Sequence, residues 1–129
     1  MTNGQGDGTE VLRIRGARRH FPDGDQVIRA VDGVDLTVTI GELVTVMGPS
    51  GSGKSSLLRL AGGLDLVDEG AVVVDGVDLG RCSAVDLARV RRRSAGYVFQ
   101  ELNLIRTLSL VENVALPLEL DGVGLKEAM

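Results

Sequence analysis

The sequence feature that most constrains the fold is a glycine-rich segment, GPSGSGKS, at residues 48–55. It matches the pattern G-x-x-x-x-G-K-[ST] at every defined position. The apolar run at residues 43–47 precedes it, and residues 54–61, which are rich in helix formers and contain no proline, follow it. A run this apolar is typical of a strand covered on both faces in a parallel sheet. The order of strand, glycine loop and helix predicts an α/β fold built around the loop.

The residue types of this loop suit a phosphate ligand. Glycine at positions 48, 51 and 53 lets the backbone wrap closely and take up angles that a Cβ would forbid. Successive N–H groups can then form a concave donor surface for phosphate oxygens. The helix that begins near Lys54 adds its positive N-terminal end to that surface.

The loop's side chains complete a predicted nucleoside triphosphate site. We expect Lys54 to reach the β- and γ-phosphates, the Ser55 hydroxyl to ligate Mg²⁺, and Ser56 to donate to the α-phosphate. A merely flexible glycine loop is the alternative, which the flanking strand and helix pattern disfavours. The predicted nucleotide-contacting residues of the loop are Gly48, Pro49, Ser50, Gly51, Ser52, Gly53, Lys54, Ser55 and Ser56.

Charge and composition exclude several classes of protein. The chain has 129 residues and a formal net charge of −4, so it has no general attraction for nucleic acid or anionic lipid. Its single cysteine, Cys82, cannot form an internal disulfide, and no apolar run has the length of a membrane span. We therefore expect a cytoplasmic protein without a nucleic-acid partner. His20 is predicted to be solvated and Cys82 inert.

The first third of the chain is predicted to form an antiparallel sheet. Residues 1–9 are polar and glycine-rich and are predicted to be disordered. A tight turn at Asp32-Gly33 is expected to join the second and third strands, and residues 21–25 are expected to form a loop. The alternation of apolar and polar residues predicts strands over residues 11–15, 27–31 and 34–40.

The remaining elements are predicted from strand patterns and helix caps. Residues 71–76 and 95–99 have strand character. Ser83 is expected to cap a helix that runs to about Arg93. The capping-box sequence that begins at Ser109 opens an apolar helix, which Pro117 should limit.

The chain resembles the nucleotide-binding domain of ABC transporters, from about residue 11 to residue 120. The loop is preceded by 47 residues, most of them in the predicted antiparallel strand region. Many P-loop kinases and GTPases instead carry the loop at their N-terminus, so a kinase is a weaker alternative. Within the family the resemblance is to the lipoprotein-release and macrolide-export class. The stretches that carry it are Gly62-Gly63-Leu64-Asp65 with Gly70, Gly96-Tyr97-Val98-Phe99-Gln100, Asn103-Leu104, and residues 112–118.

The resemblance implies roles for two residues outside the loop. Phe21 falls where the family has an aromatic side chain that stacks on adenine, although a simply packed phenylalanine is an alternative. Gln100 falls at the Q-loop position, where the amide contacts Mg²⁺ or the attacking water and senses the membrane partner; an unrelated surface glutamine is the alternative. The implied ligands are ATP and Mg²⁺, with Lys54 and Gln100 as the catalytic residues.

The resemblance also implies partners and a location. The intact family member would pair two ATP-binding domains head to tail and transmit their closure to transmembrane permease subunits. It would lie at the inner face of the cell membrane. This sequence departs from the family pattern at three positions, Ser56, Arg106 and Ser109. At the two serine positions a hydroxyl group is retained.

The family's signature motif, Asp-Glu strand and switch histidine are not found in residues 101–129. We therefore interpret residues 10–129 as the N-terminal portion of an ATP-binding domain, truncated before the signature motif. This portion would comprise an antiparallel β region at 10–40, a P-loop core at 41–100 and the start of a helical subdomain at 101–129. The chain alone is predicted to bind ATP weakly or not at all and to be inactive. A non-hydrolysing remnant that binds a nucleotide or a partner is the alternative.

Overall fold

A computed structural model describes residues 9–100 and 103–128. The chain divides into two units, one ending at Ala95 and the other beginning at Gly96. The disorder expected for residues 1–9 falls outside the described residues except at Thr9, whose carbonyl accepts a hydrogen bond from the Ile40 N–H at 3.0 Å. None of the described helices has the length and hydropathy that crossing a bilayer requires.

The first unit contains a four-stranded antiparallel sheet. Strands β1 (Glu10–Asp23) and β2 (Gln26–Thr39) form a long hairpin. Strand β3 (Glu69–Val74) pairs with the other side of β1, and the short β4 (Val77–Asp78) pairs with β3. The order is β2-β1-β3-β4, and the predicted N-terminal antiparallel region is confirmed.

The turn of the long hairpin differs from the prediction. It lies at Gly24-Asp25, where Gly24 has a φ of +58°, so the expected loop over residues 21–25 was wrong for residues 21–23. The expected turn at Asp32-Gly33 was also wrong, because both residues lie inside β2. Gly33, with a φ of +73°, instead sits where the pairing of β1 with β2 is irregular. A glycine with positive φ occurs both in β-bulges and in tight turns. The dipeptide Asp32-Gly33 alone therefore cannot distinguish a bulge from a turn.

Three predicted helix starts are confirmed. Helix α1 (Lys54–Ala61) follows the glycine loop directly. The Ser83 hydroxyl accepts from the Asp86 N–H at the start of α2 (Ala84–Arg93), which follows a 3₁₀ turn at Leu79–Arg81. In the second unit, Ser109 and Glu112 form a reciprocal capping box at the start of α3 (Leu110–Leu120).

The predicted end of α3 was wrong. Pro117 lies inside the helix, which continues to Leu120 before the turn at residues 121–122 and the short α4 (Leu125–Ala128). A proline costs an interior hydrogen bond and crowds the preceding turn. Here the missing bond is the one that the N–H at position 117 would donate to the Asn113 carbonyl, and the helix continues for three residues beyond it.

The core of the first unit lies between the sheet and its helices. Leu60 of α1 and Val90 of α2 pack with side chains from β1, β2 and β3, and Leu60 is completely buried. This packing fixes the start of α1, and with it the glycine loop, against the sheet. The buried cluster consists of Ile14, Ala17, Val31, Leu60, Val72, Val74, Leu79 and Val90.

Two predicted strands are not formed by the described residues. The run at residues 43–47 is irregular rather than a buried strand, with Leu43 92% and Met47 84% exposed. Residues 95–99 are likewise irregular, and Val98 is 96% exposed. A strand requires a hydrogen-bonding neighbour, and no described strand pairs with either segment. Apolar composition therefore predicted two strands, but it carries no information about a neighbouring strand with which they could form hydrogen bonds.

Candidate functional site

The glycine loop is seated on β2 through Gly53. Gly53 is the residue before the first turn of α1, with a φ of +88°. A Cβ on Gly53 would lie 1.9 Å from the Ala30 carbonyl oxygen of β2, so a larger residue would force the loop and β2 apart at this contact. Gly48 is also close-packed, since a Cβ there would lie 2.7 Å from the Ser52 hydroxyl. The sequence pattern at these glycines thus reflects close approaches as well as turning of the chain.

The start of α1 differs from the starts of α2 and α3. Ser83 and Ser109 cap the latter two helices with side-chain hydrogen bonds, whereas Gly53 provides α1 with none. The first turn of α1 also contains no acidic residue. The first N–H groups of a helix have no partner within the helix, and they carry partial positive charge. The start of α1 is therefore built to receive an anion from outside the helix.

Lys54 folds back over the loop. Its Nζ donates to the carbonyl oxygens of Gly48 at 2.9 Å and Pro49 at 2.6 Å, and lies 3.4 Å from the Ser52 hydroxyl. These contacts keep the ammonium group beside the loop backbone. The hydroxyl-bearing Ser55 is exposed at the start of α1, and Ser56 is half-buried. A cation, backbone donors and hydroxyl groups are thus brought together within nine residues.

Phe21 lies in β1, opposite Ile28 of β2, and it lines the same cavity as the loop. This cavity has a volume of about 370 Å³, within the range typical of small-molecule sites. The aromatic ring and the phosphate-type loop, separated by almost thirty residues in the sequence, are therefore neighbours in the first unit. The described lining consists of Phe21, Ile28, Ala30, Ser50, Gly51, Gly53, Lys54, Ser55 and Ser56.

Charged residues surround the β1 end that carries Phe21. The Arg19 guanidinium carbon lies 4.8 Å from the centre of the Phe21 ring, and Arg19 Nη1 donates to Asp68 Oδ1 at 2.7 Å. The other oxygen of Asp68 accepts from the His20 N–H at 2.7 Å. The His20 hydrogen bond, together with Arg19, holds the pKa of the Asp68 carboxyl group below its ordinary value. Asp68 is thus an ionised anchor for this end of the strand.

His20 is less solvated than expected. Its Nε2 is buried and has no hydrogen-bond partner among the described residues. Cys82 is half-buried, and its thiol lies 3.4 Å from the Asp78 carbonyl oxygen. Neither residue lines the cavity beside the loop.

Gln100 belongs to the second unit, where its side chain is exposed in a bend. The grouping of Phe21 with the loop is therefore a property of the first unit, and the role of Gln100 stays a prediction. Within residues 9–100 and 103–128, no cluster of three or more histidine, cysteine, aspartate or glutamate side chains could hold a metal ion.

Sequence reasoning missed Ile28 and Ala30. Ile28 lines the cavity opposite Phe21, and the Ala30 carbonyl seats Gly53. Recognising the turn at Gly24-Asp25 would have located Ile28, because the hairpin register then places it across from Phe21. The contact between Ala30 and Gly53 joins two distant segments and leaves no local signal.

The chain is similar in sequence to proteins of the ABC transporter family. The ABC transporter family model matches residues 31–129. The chain is 45% identical over 107 residues to the macrolide export ATP-binding/permease protein MacB 1 of Aeromonas hydrophila, covering 83% of this chain and 16% of that protein. It is 36% identical over 119 residues to the lipoprotein-releasing system ATP-binding protein LolD of Shewanella frigidimarina, covering 92% of this chain and 50% of the relative.

A solved structure extends the similarity to the fold. It is a dimeric, post-hydrolysis ATP-binding cassette of Methanocaldococcus jannaschii, bound to ADP and Pi. It matches 91% of this chain and 52% of that chain, with 36% identity and a TM-score of 0.85. The chain therefore has the fold of the first part of such a cassette. It spans about half the length of the ATP-binding relatives and a smaller share of the MacB protein.

Proposed function

Because the chain belongs to the ABC transporter family, we propose that it binds ATP as part of the ATPase subunit of a transporter. The observation that carries this proposal is the uncapped start of α1, which shares one cavity with Lys54 and Phe21. The chain's membership of a family of ABC-type ATPases implies nucleotide binding. The assignment of individual residues below is our proposal.

The loop would hold the triphosphate. Backbone N–H groups of the loop and of the first turn of α1 would donate to the phosphate oxygens. Lys54 would exchange its contacts with the Gly48 and Pro49 carbonyls for the β- and γ-phosphates. The aromatic ring of Phe21, on the same cavity, would stack on the adenine. The cavity thus offers separate surfaces for the two ends of ATP.

Mg²⁺ would be held by oxygen atoms. The exposed Ser55 hydroxyl adjoins the proposed phosphate site, and Mg²⁺ prefers oxygen ligands supplemented by phosphates and water. Gln100 would contribute its amide oxygen, as the family resemblance implies. When bound, the ion would neutralise charge on the phosphates.

For the 129-residue chain alone we propose weak binding, detectable at millimolar ATP, without turnover. Hydrolysis requires a group that orients or deprotonates water. The described residues that line the cavity include no aspartate, glutamate or histidine. Turnover would belong to the whole protein, with its activity coupled to export or lipoprotein release.

The proposed partners follow from the relatives. One relative is named as an ATP-binding/permease protein, another as the ATP-binding protein of a lipoprotein-releasing system, and the solved cassette is dimeric. We propose that the whole protein pairs two ATP-binding domains head to tail. Transmembrane permease subunits would then place it at the inner face of the cell membrane.

Isothermal titration calorimetry of the chain with millimolar MgATP tests whether this cavity binds the nucleotide. Lys54→Ala should weaken binding by roughly tenfold or more, because a charge-assisted contact to phosphate is lost. The matched control is Lys126→Ala, which removes the chain's other lysine, in the second unit, and should leave the affinity unchanged. Ser55→Ala should weaken binding of MgATP but not of ATP measured with a chelator present.

Equal affinities of the Lys54→Ala and Lys126→Ala variants would refute the phosphate role of the loop. An undetectable interaction of the unaltered chain with millimolar MgATP would refute the binding proposal for this chain. Steady-state phosphate release that disappears in Lys54→Ala would refute the proposed absence of turnover.

A further inference from the structure

We propose that Arg19 is a positioning residue that holds the Phe21 ring in the orientation needed to stack on a purine base. The inference rests on the proposed binding of ATP, and it adds a residue that acts through Phe21 rather than on the nucleotide. It is carried by the contact between the Arg19 guanidinium and the Phe21 ring, together with the ion pair that anchors Arg19 from behind.

The guanidinium group is held from two sides. Its carbon lies 4.8 Å from the ring centroid, inside the distance at which a cation is attracted to an aromatic face. Its Nη1 donates to Asp68 Oδ1 at 2.7 Å, and its Nε is buried with no hydrogen-bond partner among the described residues. The group is therefore fixed between a carboxylate and a ring.

Asp68 is itself tied to the strand that carries Phe21. Its N–H donates to the Arg18 carbonyl at 2.8 Å, and its Oδ2 accepts from the His20 N–H at 2.7 Å. Asp68 lies just before β3, so these bonds connect the β3 entry to three consecutive residues of β1. The support for the ring thus comes from outside its own hairpin.

A ring held in this way would bind a base more tightly. Ordering a side chain on binding costs free energy, and a side chain already held in the bound orientation avoids that cost. Phe21 is only half-buried and faces the cavity, so packing of the core alone does not fix it. Loss of Arg19 should therefore weaken base recognition without altering the phosphate loop.

Arg18 offers a matched control. It is the neighbouring arginine of β1, but its ion pairs are with Asp32 and Glu69, at 3.1 and 2.7 Å. Replacing Arg18 removes the same charge and two surface ion pairs while leaving the contact between Arg19 and Phe21 in place. A general effect of net charge on ATP binding would appear in both variants.

The experiment uses the two phenylalanines of the 129-residue chain, Phe21 and Phe99, labelled as 4-fluorophenylalanine. Arg19→Ala should shift or broaden the Phe21 fluorine resonance in the free protein and leave that of Phe99 unchanged. Calorimetry with MgATP and with magnesium tripolyphosphate then separates base from phosphate binding. Arg19→Ala should lower the ATP affinity roughly two- to fivefold and leave the tripolyphosphate affinity unchanged. Arg19→Lys should restore part of the loss, and Arg18→Ala should behave like the unaltered chain.

An unchanged Phe21 resonance in Arg19→Ala would overturn the inference while leaving ATP binding intact. Tighter ATP binding by that variant would also overturn it, because Arg19 would then compete with the base for the ring. An equal loss of tripolyphosphate affinity would assign the effect to the loop and overturn it as well. If the unaltered chain binds neither MgATP nor magnesium tripolyphosphate, the proposed function is refuted. The role of Arg19 in base recognition is then refuted as well, even if the fluorine resonance of Phe21 shifts in Arg19→Ala.

Discussion

Substitution of Gly53 by alanine tests whether the loop depends on its close approach to β2. Gly53 has a φ of +88°, and a Cβ there would lie 1.9 Å from the Ala30 carbonyl oxygen. Gly51 is the matched control, since it has a similar φ of +78° but no atom within 4 Å of its Cβ position. The two variants share the cost of the left-handed backbone and differ in the steric overlap.

The expected magnitudes follow from those two terms. A left-handed conformation costs a residue with a Cβ about 1–2 kcal/mol, which is the expected loss in the free energy of unfolding for Gly51→Ala. Gly53→Ala must in addition separate the Cβ from a backbone oxygen by about 1 Å, and overpacking of this kind costs about 1–3 kcal/mol. We therefore expect a total loss of about 2–5 kcal/mol for Gly53→Ala.

Urea unfolding followed by far-ultraviolet circular dichroism measures both variants against the unaltered chain. The denaturant slope should be the same for all three, so that the midpoints report stability. A Gly53→Ala variant that is already unfolded without urea, beside a folded Gly51→Ala, also agrees with the expectation. Equal losses, within about 0.5 kcal/mol, would refute the argument that contact with Ala30 requires glycine.

Two further predictions concern charge and exposure. The lowered pKa of Asp68 means that its interactions stabilise the fold above the pKa of the unfolded chain and are lost as the pH falls through the folded value. The unfolding free energy should therefore decline in acid below about pH 4, and less steeply in Asp68→Asn; parallel acid titrations would contradict this. Leu43→Ser should leave the urea midpoint unchanged, because Leu43 is 92% exposed and its replacement removes no buried contact. A loss of stability in that variant would show that Leu43 is buried in solution.

Local patterns predicted the elements whose determinants are local. Helix α1 has its predicted bounds, and Ser83 and Ser109 cap helices as expected. Each of these signals depends on residues within about four positions of one another, and their physical cause is the unpaired N–H groups of a helix start.

Patterns that depend on a distant partner were less informative. Residues 43–47 have the composition of a buried strand, but no described strand pairs with them. The dipeptide Asp32-Gly33 satisfied the rule for a turn, while the chain turned at Gly24-Asp25. In both cases the outcome was decided by which strand lies alongside, which a local rule does not contain.

The sequence by itself determined the phosphate-type loop and the helix that follows it, because residues 48–56 contain the glycines, the lysine and the hydroxyl groups within one short segment. The family resemblance implied Phe21 as a neighbour of that loop, but the tertiary structure decided how the neighbouring side chains are brought there. The long hairpin brings Phe21 into the same cavity, and the pairing of β1 with β3 brings Asp68 behind Arg19. The physical reason is that loop conformation follows from local backbone freedom, whereas neighbours across a sheet follow from strand register and the burial of the shared core.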